Sequence, residues 1–168
     1  MGGGADASTA FVDAARAVAT GPEFERHDAR TWFQTFRAID ARLARMTTGE
    51  TTAIVAVIDA TGIIGVSVGN SEAWVVTGPR IDRLTHSQSA KRLGSGRAAP
   101  VVFHRSCLDG VLIIASDGLF EQTSEAVIAA ACPSGSAAAV ADALMEAARL
   151  PSGALADDVS VVVVRTRT

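Results

Sequence analysis

The chain has 168 residues, enough for one domain with a sizeable core, and 48% of them are apolar. A formal net charge of −3 with scattered Lys and Arg excludes the basic footprint of a nucleic-acid binder, and two cysteines, Cys107 and Cys132, are too few for a disulfide framework. The opening Met1-Gly2-Gly3-Gly4-Ala5-Asp6 has no basic stretch leading into an apolar run, and no run reaches spanning length, so a soluble cytoplasmic protein with reduced thiols and no membrane contact is expected.

Residues 8–19 place Phe11, Ala14, Ala15 and Val18 at helical spacing behind Ser8 or Thr9 as cap. Asp6 suits the positive end of that helix. After Gly21-Pro22, a longer pattern puts Phe33, Phe36, Ile39, Leu43 and Met46 on one stripe, with Arg37, Asp40, Arg42 and Arg45 largely opposite. Three short β-branched runs follow, at residues 52–58, 63–68 and 73–76, with turn residues between them, and read as an antiparallel meander. The first run is apolar on both alternations, which requires cover on both faces.

Residues 79–99 are polar and read as a loop with one helical turn; Arg80, Arg83, Lys91, Arg92 and Arg97 make it a solvated basic segment, the alternative being that they attract a phosphorylated substrate. Strand patterns resume at residues 101–104 and 111–115, helices follow at 124–132 and 136–150, ended by Pro133 and Pro151, and a strand closes the chain. Trp32 and Trp74 fall within element patterns and belong in or beside the core, whereas His27, His86 and His104 are isolated and take surface or packing roles. No long repeat and no low-complexity linker appears, so residues 1–168 are expected to form a single domain. Helix pairs at both ends around strands that need cover predict an α+β fold. Its layers are expected to be a four-layer α-β-β-α sandwich of two antiparallel sheets flanked by helix pairs.

The chemistry concentrates at two strand ends. Asp117 follows the apolar run 111–115, and Asp157 with Asp158 precedes the run 159–164, so one strand runs into its acid and the other runs out of its acids. Side by side and antiparallel, the two strands bring those carboxylates together. With no Lys or Arg beside them in sequence, the acids repel and call for a hard cation such as Mg²⁺ or Mn²⁺.

Ala115-Ser116-Asp117-Gly118-Leu119 and Asp157-Asp158-Val159-Ser160 resemble two signature motifs of the metal-dependent Ser/Thr protein phosphatases of type 2C, Ser-Asp-Gly and Asp-Asn-Ile/Val-Thr. Upstream, Gly49-Glu50-Thr51-Thr52-Ala53, Val68-Gly69-Asn70-Ser71-Glu72-Ala73 and Arg83-Leu84-Thr85 are similar to that family's Gly-Thr-Thr-Ala, Gly-Asp-Ser-Arg and Leu-Thr segments, in the same order. The resemblance implies a signalling hydrolase that attacks phosphoserine and phosphothreonine in a phosphorylated protein, using water activated by two Mg²⁺ or Mn²⁺ ions. It makes Asp117 and Asp157 metal ligands, with Gly118, Asp158 and Asn70 adjacent to the metal, and assigns no catalytic or substrate-binding side chain.

The departures carry expectations of their own. The family's bridging Asp-Gly pair precedes Met-Gly-Gly, so the resemblance implies that this chain starts just after that pair and lacks the first strands and a phosphate-binding Arg. Asn70 and Glu72 replace the Asp and Arg of Gly-Asp-Ser-Arg, and Ser87-Gln88-Ser89 replaces an Asp-His-Ser. Impaired catalysis is therefore expected, and the alternative is an inactive phosphatase-like binding or regulatory module. A sheet without its first strands exposes an edge, through which a homodimer is expected.

Overall fold

The computed structural model describes residues 3–46, 49–85, 91–132 and 135–166. His86, Ser87-Gln88-Ser89 and Pro133, each given a role above, lie outside the described residues. Two compact units emerge, residues 1–71 with 87–106 and residues 72–86 with 107–168. The first carries ten basic and eight acidic residues, and the second five basic and ten acidic, a charge of −5 on the unit that holds Asp117, Asp157 and Asp158.

In the first unit, helix α1 (Gly3–Ala19) begins five residues earlier than its periodicity indicates and buries Ala7 and Phe11. A single helical turn, α2 (Glu23–Arg26), leads into α3 (Ala29–Met46), which buries Trp32, Phe36, Ile39 and Leu43. Each of these large side chains contributes roughly 1.5–3 kcal/mol on burial. Phe11 and Phe36 meet edge to face with centroids 4.9 Å apart, and the Trp32 indole N–H donates to the Arg26 carbonyl at 2.8 Å. Strand β1 (Ala53–Asp59) pairs antiparallel with β2 (Gly62–Val68), which pairs with β5 (Val101–Arg105), giving the order β1-β2-β5.

The stripe on α3 differs from its sequence reading at three places. Met46 is exposed, Phe33 is only half-buried, and Asp40, expected on the solvent side, is 4% exposed. Asp40 Oδ1 accepts the amides of Gly94 and Gly96 at 2.8 and 3.0 Å, and Oδ2 accepts that of Ala98 at 3.0 Å. A carboxylate meeting three backbone donors can be buried where an unpartnered one cannot. The loop it holds inserts Leu93 into the core and pairs Leu93 with Thr51.

In the second unit, β3 (Glu72–Thr77) lies between β4 (Arg80–Arg83) and β6 (Val111–Ala115), and β7 (Val161–Arg165) completes the order β4-β3-β6-β7. The expected three-strand meander is thus corrected: the first two runs pair, and the third belongs to the other sheet. Strand β4 corrects the loop reading as well. Its four residues contain one apolar side chain, Ile81, too little alternation to mark a strand, yet a two-residue Gly78-Pro79 turn folds them onto β3. Helices α4 (Asp117–Gln122), α5 (Glu125–Ala131) and α6 (Ala137–Ala147) add Leu119, Ile128, Val140 and Leu144 to a core with Trp74, Val76, Val111 and Ile113. Ser124 and Ser136 cap α5 and α6 by accepting the amides of Val127 and Ala139. Among the described residues no helix is long and apolar enough to cross a membrane.

Candidate metal centre at the end of the β6–β7 pair

The apolar runs that bracket the acids form neighbouring antiparallel strands. Leu112 lies opposite Val164, Ile113 opposite Val163 and Ala115 opposite Val161, so the C-terminal end of β6 meets the N-terminal end of β7. Strand direction therefore puts Asp117, two residues beyond Ala115, at the same rim of the sheet as Asp157 and Asp158, four and three residues before Val161. Asp117 is half-buried in the first turn of α4, a six-residue helix too short to announce itself by periodicity, while Asp157 and Asp158 are exposed.

Three interactions couple the two acid-bearing segments. The Ser116 amide donates to the Ser160 carbonyl at 3.1 Å, the Ser160 amide donates back to Ser116 Oγ at 3.0 Å, and Ser116 Oγ–H donates to the Asp158 carbonyl at 3.1 Å. Gly118 is buried against the same segment. A Cβ there would stand 2.8 Å from the Asp158 carbonyl oxygen and 3.2 Å from Val159 Cγ2, so only glycine allows this approach. Within each segment, Asp117 Oδ1 accepts the Gly118 amide at 3.1 Å and Asp157 Oδ1 accepts the Asp158 amide at 2.7 Å.

Asn70 is half-buried in the turn after β2, in the first unit. That turn is shaped by Gly69, at φ +95°, and by a 2.8 Å hydrogen bond between the hydroxyls of Thr52 and Ser71. Among the basic residues of the 79–99 stretch, Arg83 lies 4.5 Å over the Trp74 ring and pairs with Glu125, which accounts for it as part of the sheet–helix packing. Sequence reasoning missed Ser116 as a participant, since nothing in Ala-Ser-Asp-Gly reveals a partner more than forty residues away.

The donor chemistry has a definite size. Two carboxylates at one rim, open to water and to an incoming anion, match the way Mg²⁺ and similar hard ions are held, by one or two acids plus water and phosphate oxygens. Among the described residues no group of three His, Cys, Asp or Glu side chains stands close enough together to hold an ion.

The architecture, two antiparallel sheets flanked by helices, is that of the type 2C phosphatases, and solved structures share it. A point variant of a bacterial serine phosphatase superposes with a TM-score of 0.83 at 22% identity, over 95% of this chain and 77% of that one. The catalytic domain of the serine/threonine phosphatase PstP, solved with two manganese ions, gives 0.81 at 22% identity, over 97% and 83%. The phosphatase MsPP from Mycobacterium smegmatis, solved with cacodylate, gives 0.69 at 21% identity, over 89% and 78%. No curated protein matches the sequence. The family described as stage II sporulation protein E matches residues 1–167, and the chain belongs to that family of phosphatase domains.

Proposed function

We propose that this domain removes phosphate from phosphoserine or phosphothreonine of a protein substrate, with one Mg²⁺ or Mn²⁺ ion held between Asp117 and Asp157. The observation that carries the reading is the antiparallel β6–β7 pair, which delivers the two acids to one rim. A cation bound there would lower the pKa of a coordinated water and neutralise charge on the phosphoryl oxygens. Asp117 and Asp157 supply acceptor-only oxygens, and the Asp158 amide orients the Asp157 carboxylate. The exposure of Asp157 and Asp158 leaves room for a phosphorylated segment of another protein. Asn70 takes no part in this reading.

Titration of Mn²⁺ into the chain by calorimetry, alongside hydrolysis of an aryl phosphate, tests it: saturable binding and turnover are expected, both lost in Asp117→Asn. A chain that binds Mn²⁺ without turnover would instead support a catalytically impaired or inactive binding module. Neither heat nor turnover would remove the metal-dependent reading altogether.

Two further features belong to the proposal. The reading takes Cys107, exposed, and Cys132, buried, as reduced thiols in a cytoplasmic setting. Strand β7 ends its sheet and carries Val162 at 56% exposure, which supports pairing with a second copy along that edge. A monomer by light scattering at micromolar concentration would refute that pairing.

A further inference from the structure

We infer that Ser116 is the positioning residue of this centre: its hydroxyl sets the Asp157–Asp158 segment against Asp117, and metal affinity depends on it. The inference rests on the metal-dependent reading above.

Asp117 has a firm base, half-buried at the junction of β6 and α4 and followed by the buried Gly118 and Leu119. Asp157 and Asp158 have no such base. They precede β7, lie outside any helix or strand, and are exposed. The sheet ladder ends at the Ala115–Val161 pair, so strand pairing stops four residues short of Asp157. Beyond that point the tie to β6 passes through Ser116 in both directions. Its backbone N–H reaches the Ser160 carbonyl, its Oγ accepts the Ser160 amide, and its Oγ–H reaches the Asp158 carbonyl. One hydroxyl thus adds two side-chain ties to the single backbone bond beyond the ladder, on both sides of Val159.

The other contacts cannot substitute for it. The Asp157–Asp158 hydrogen bond is local and travels with the segment, and Gly118 permits the close approach without holding it. Without the hydroxyl, the backbone bond from the Ser116 amide to the Ser160 carbonyl and the packing of Val159 still hold the entry to β7, but Asp158 loses its direct tie to Ser116, and a cation bridging the acids must order the exposed residues before Val159 at its own cost.

Three proteins test this: the wild-type chain, Ser116→Ala and Ser116→Thr. Calorimetric titration with Mn²⁺ alone should show affinity lowered about 10–100-fold in Ser116→Ala, the range typical when a partner that orients a metal ligand is removed. Ser116→Thr, which keeps the hydroxyl, should restore affinity to within about threefold. In metal-free protein, amide exchange at Ser160 should accelerate in Ser116→Ala and not in Ser116→Thr, which reads the clamp without any metal. Wild-type affinity in Ser116→Ala, or Ser116→Thr as weak as Ser116→Ala, would overturn the assignment while leaving the phosphatase reading intact. If Ser116→Ala fails to fold, the Thr variant and Ser160 exchange in the wild-type chain still decide it, because an unprotected Ser160 amide refutes the clamp. A wild-type chain that binds no Mn²⁺ overturns both readings together.

Discussion

Replacing Asp40 by Ala should be among the most destabilising single changes in this protein. The side chain is 4% exposed and accepts three backbone amides, Gly94 and Gly96 on one oxygen and Ala98 on the other. Hydrogen bonds to a charged group contribute about 1.5–3 kcal/mol each, and an amide left buried without an acceptor costs about 1–3 kcal/mol. Only the Ala98 bond is fully buried, so water can rescue part of the other two. The expected loss is therefore about 3–5 kcal/mol, below the full sum and still a large part of the 5–15 kcal/mol that typically holds a domain together. Asp40→Asn separates charge from shape. Its carbonyl can keep Gly94 and Gly96, but its NH₂ then faces the Ala98 amide, donor against donor, for a loss of about 2 kcal/mol. Urea unfolding of the three proteins, with amide exchange at Ala98, measures both effects. A loss below about 1 kcal/mol in Asp40→Ala, or equal losses in the two variants, would refute the claim that Asp40 anchors this loop.

Gly118→Ala places a methyl group 2.8 Å from the Asp158 carbonyl oxygen, so it should cost about 1–3 kcal/mol in urea unfolding; an unchanged midpoint would show that the two segments are not in close contact. The Asp59 carboxyl is held below its ordinary 3.8 first by the Thr61 hydroxyl and then by the Thr61 amide, both at 2.6 Å, with the nearby His27 adding to them. Because the folded value is the lower one, its contribution to stability is present above the ordinary carboxylate range and is lost as pH falls through the depressed value. Carboxyl NMR titration should show that midpoint rising toward 3.8 in Thr61→Ala, and an identical midpoint would exclude Thr61 as the cause. Burial pushes the Cys132 thiol up, and its Sγ–H donates to the Ile128 carbonyl at 3.1 Å, whereas Cys107 is exposed. Iodoacetamide should therefore modify Cys107 rapidly and Cys132 only after unfolding; equal rates would contradict the burial.

The order of the elements and the place of the acids were legible without the structure because both are local properties. Short apolar runs rich in β-branched residues mark β1, β2, β5 and β6, a 3.6-residue stripe marks α1, α3 and α6, and an acid just before or after an apolar strand lies near its rim. Bringing Asp117 to the same end of the sheet as Asp157 and Asp158 needed one further condition, antiparallel neighbours, and the β6–β7 register meets it.

What escaped the sequence is non-local. Strand β3 has the same alternation whether it pairs with β2 or with β4 and β6, and which partner it takes depends on side chains far away in the chain. Asp40 looks like a solvated helix residue until the amides of residues 94–98 are folded over it, and only then does burial cease to be prohibitive. Ser116 looks like an ordinary polar residue before a helix until Ser160, forty-four positions on, presents its amide. Local patterning decided which faces of each element seek cover and where the charges stand. Tertiary structure alone decided which backbone groups would meet those charges, because hydrogen bonding between distant segments exists only once the chain has brought them together.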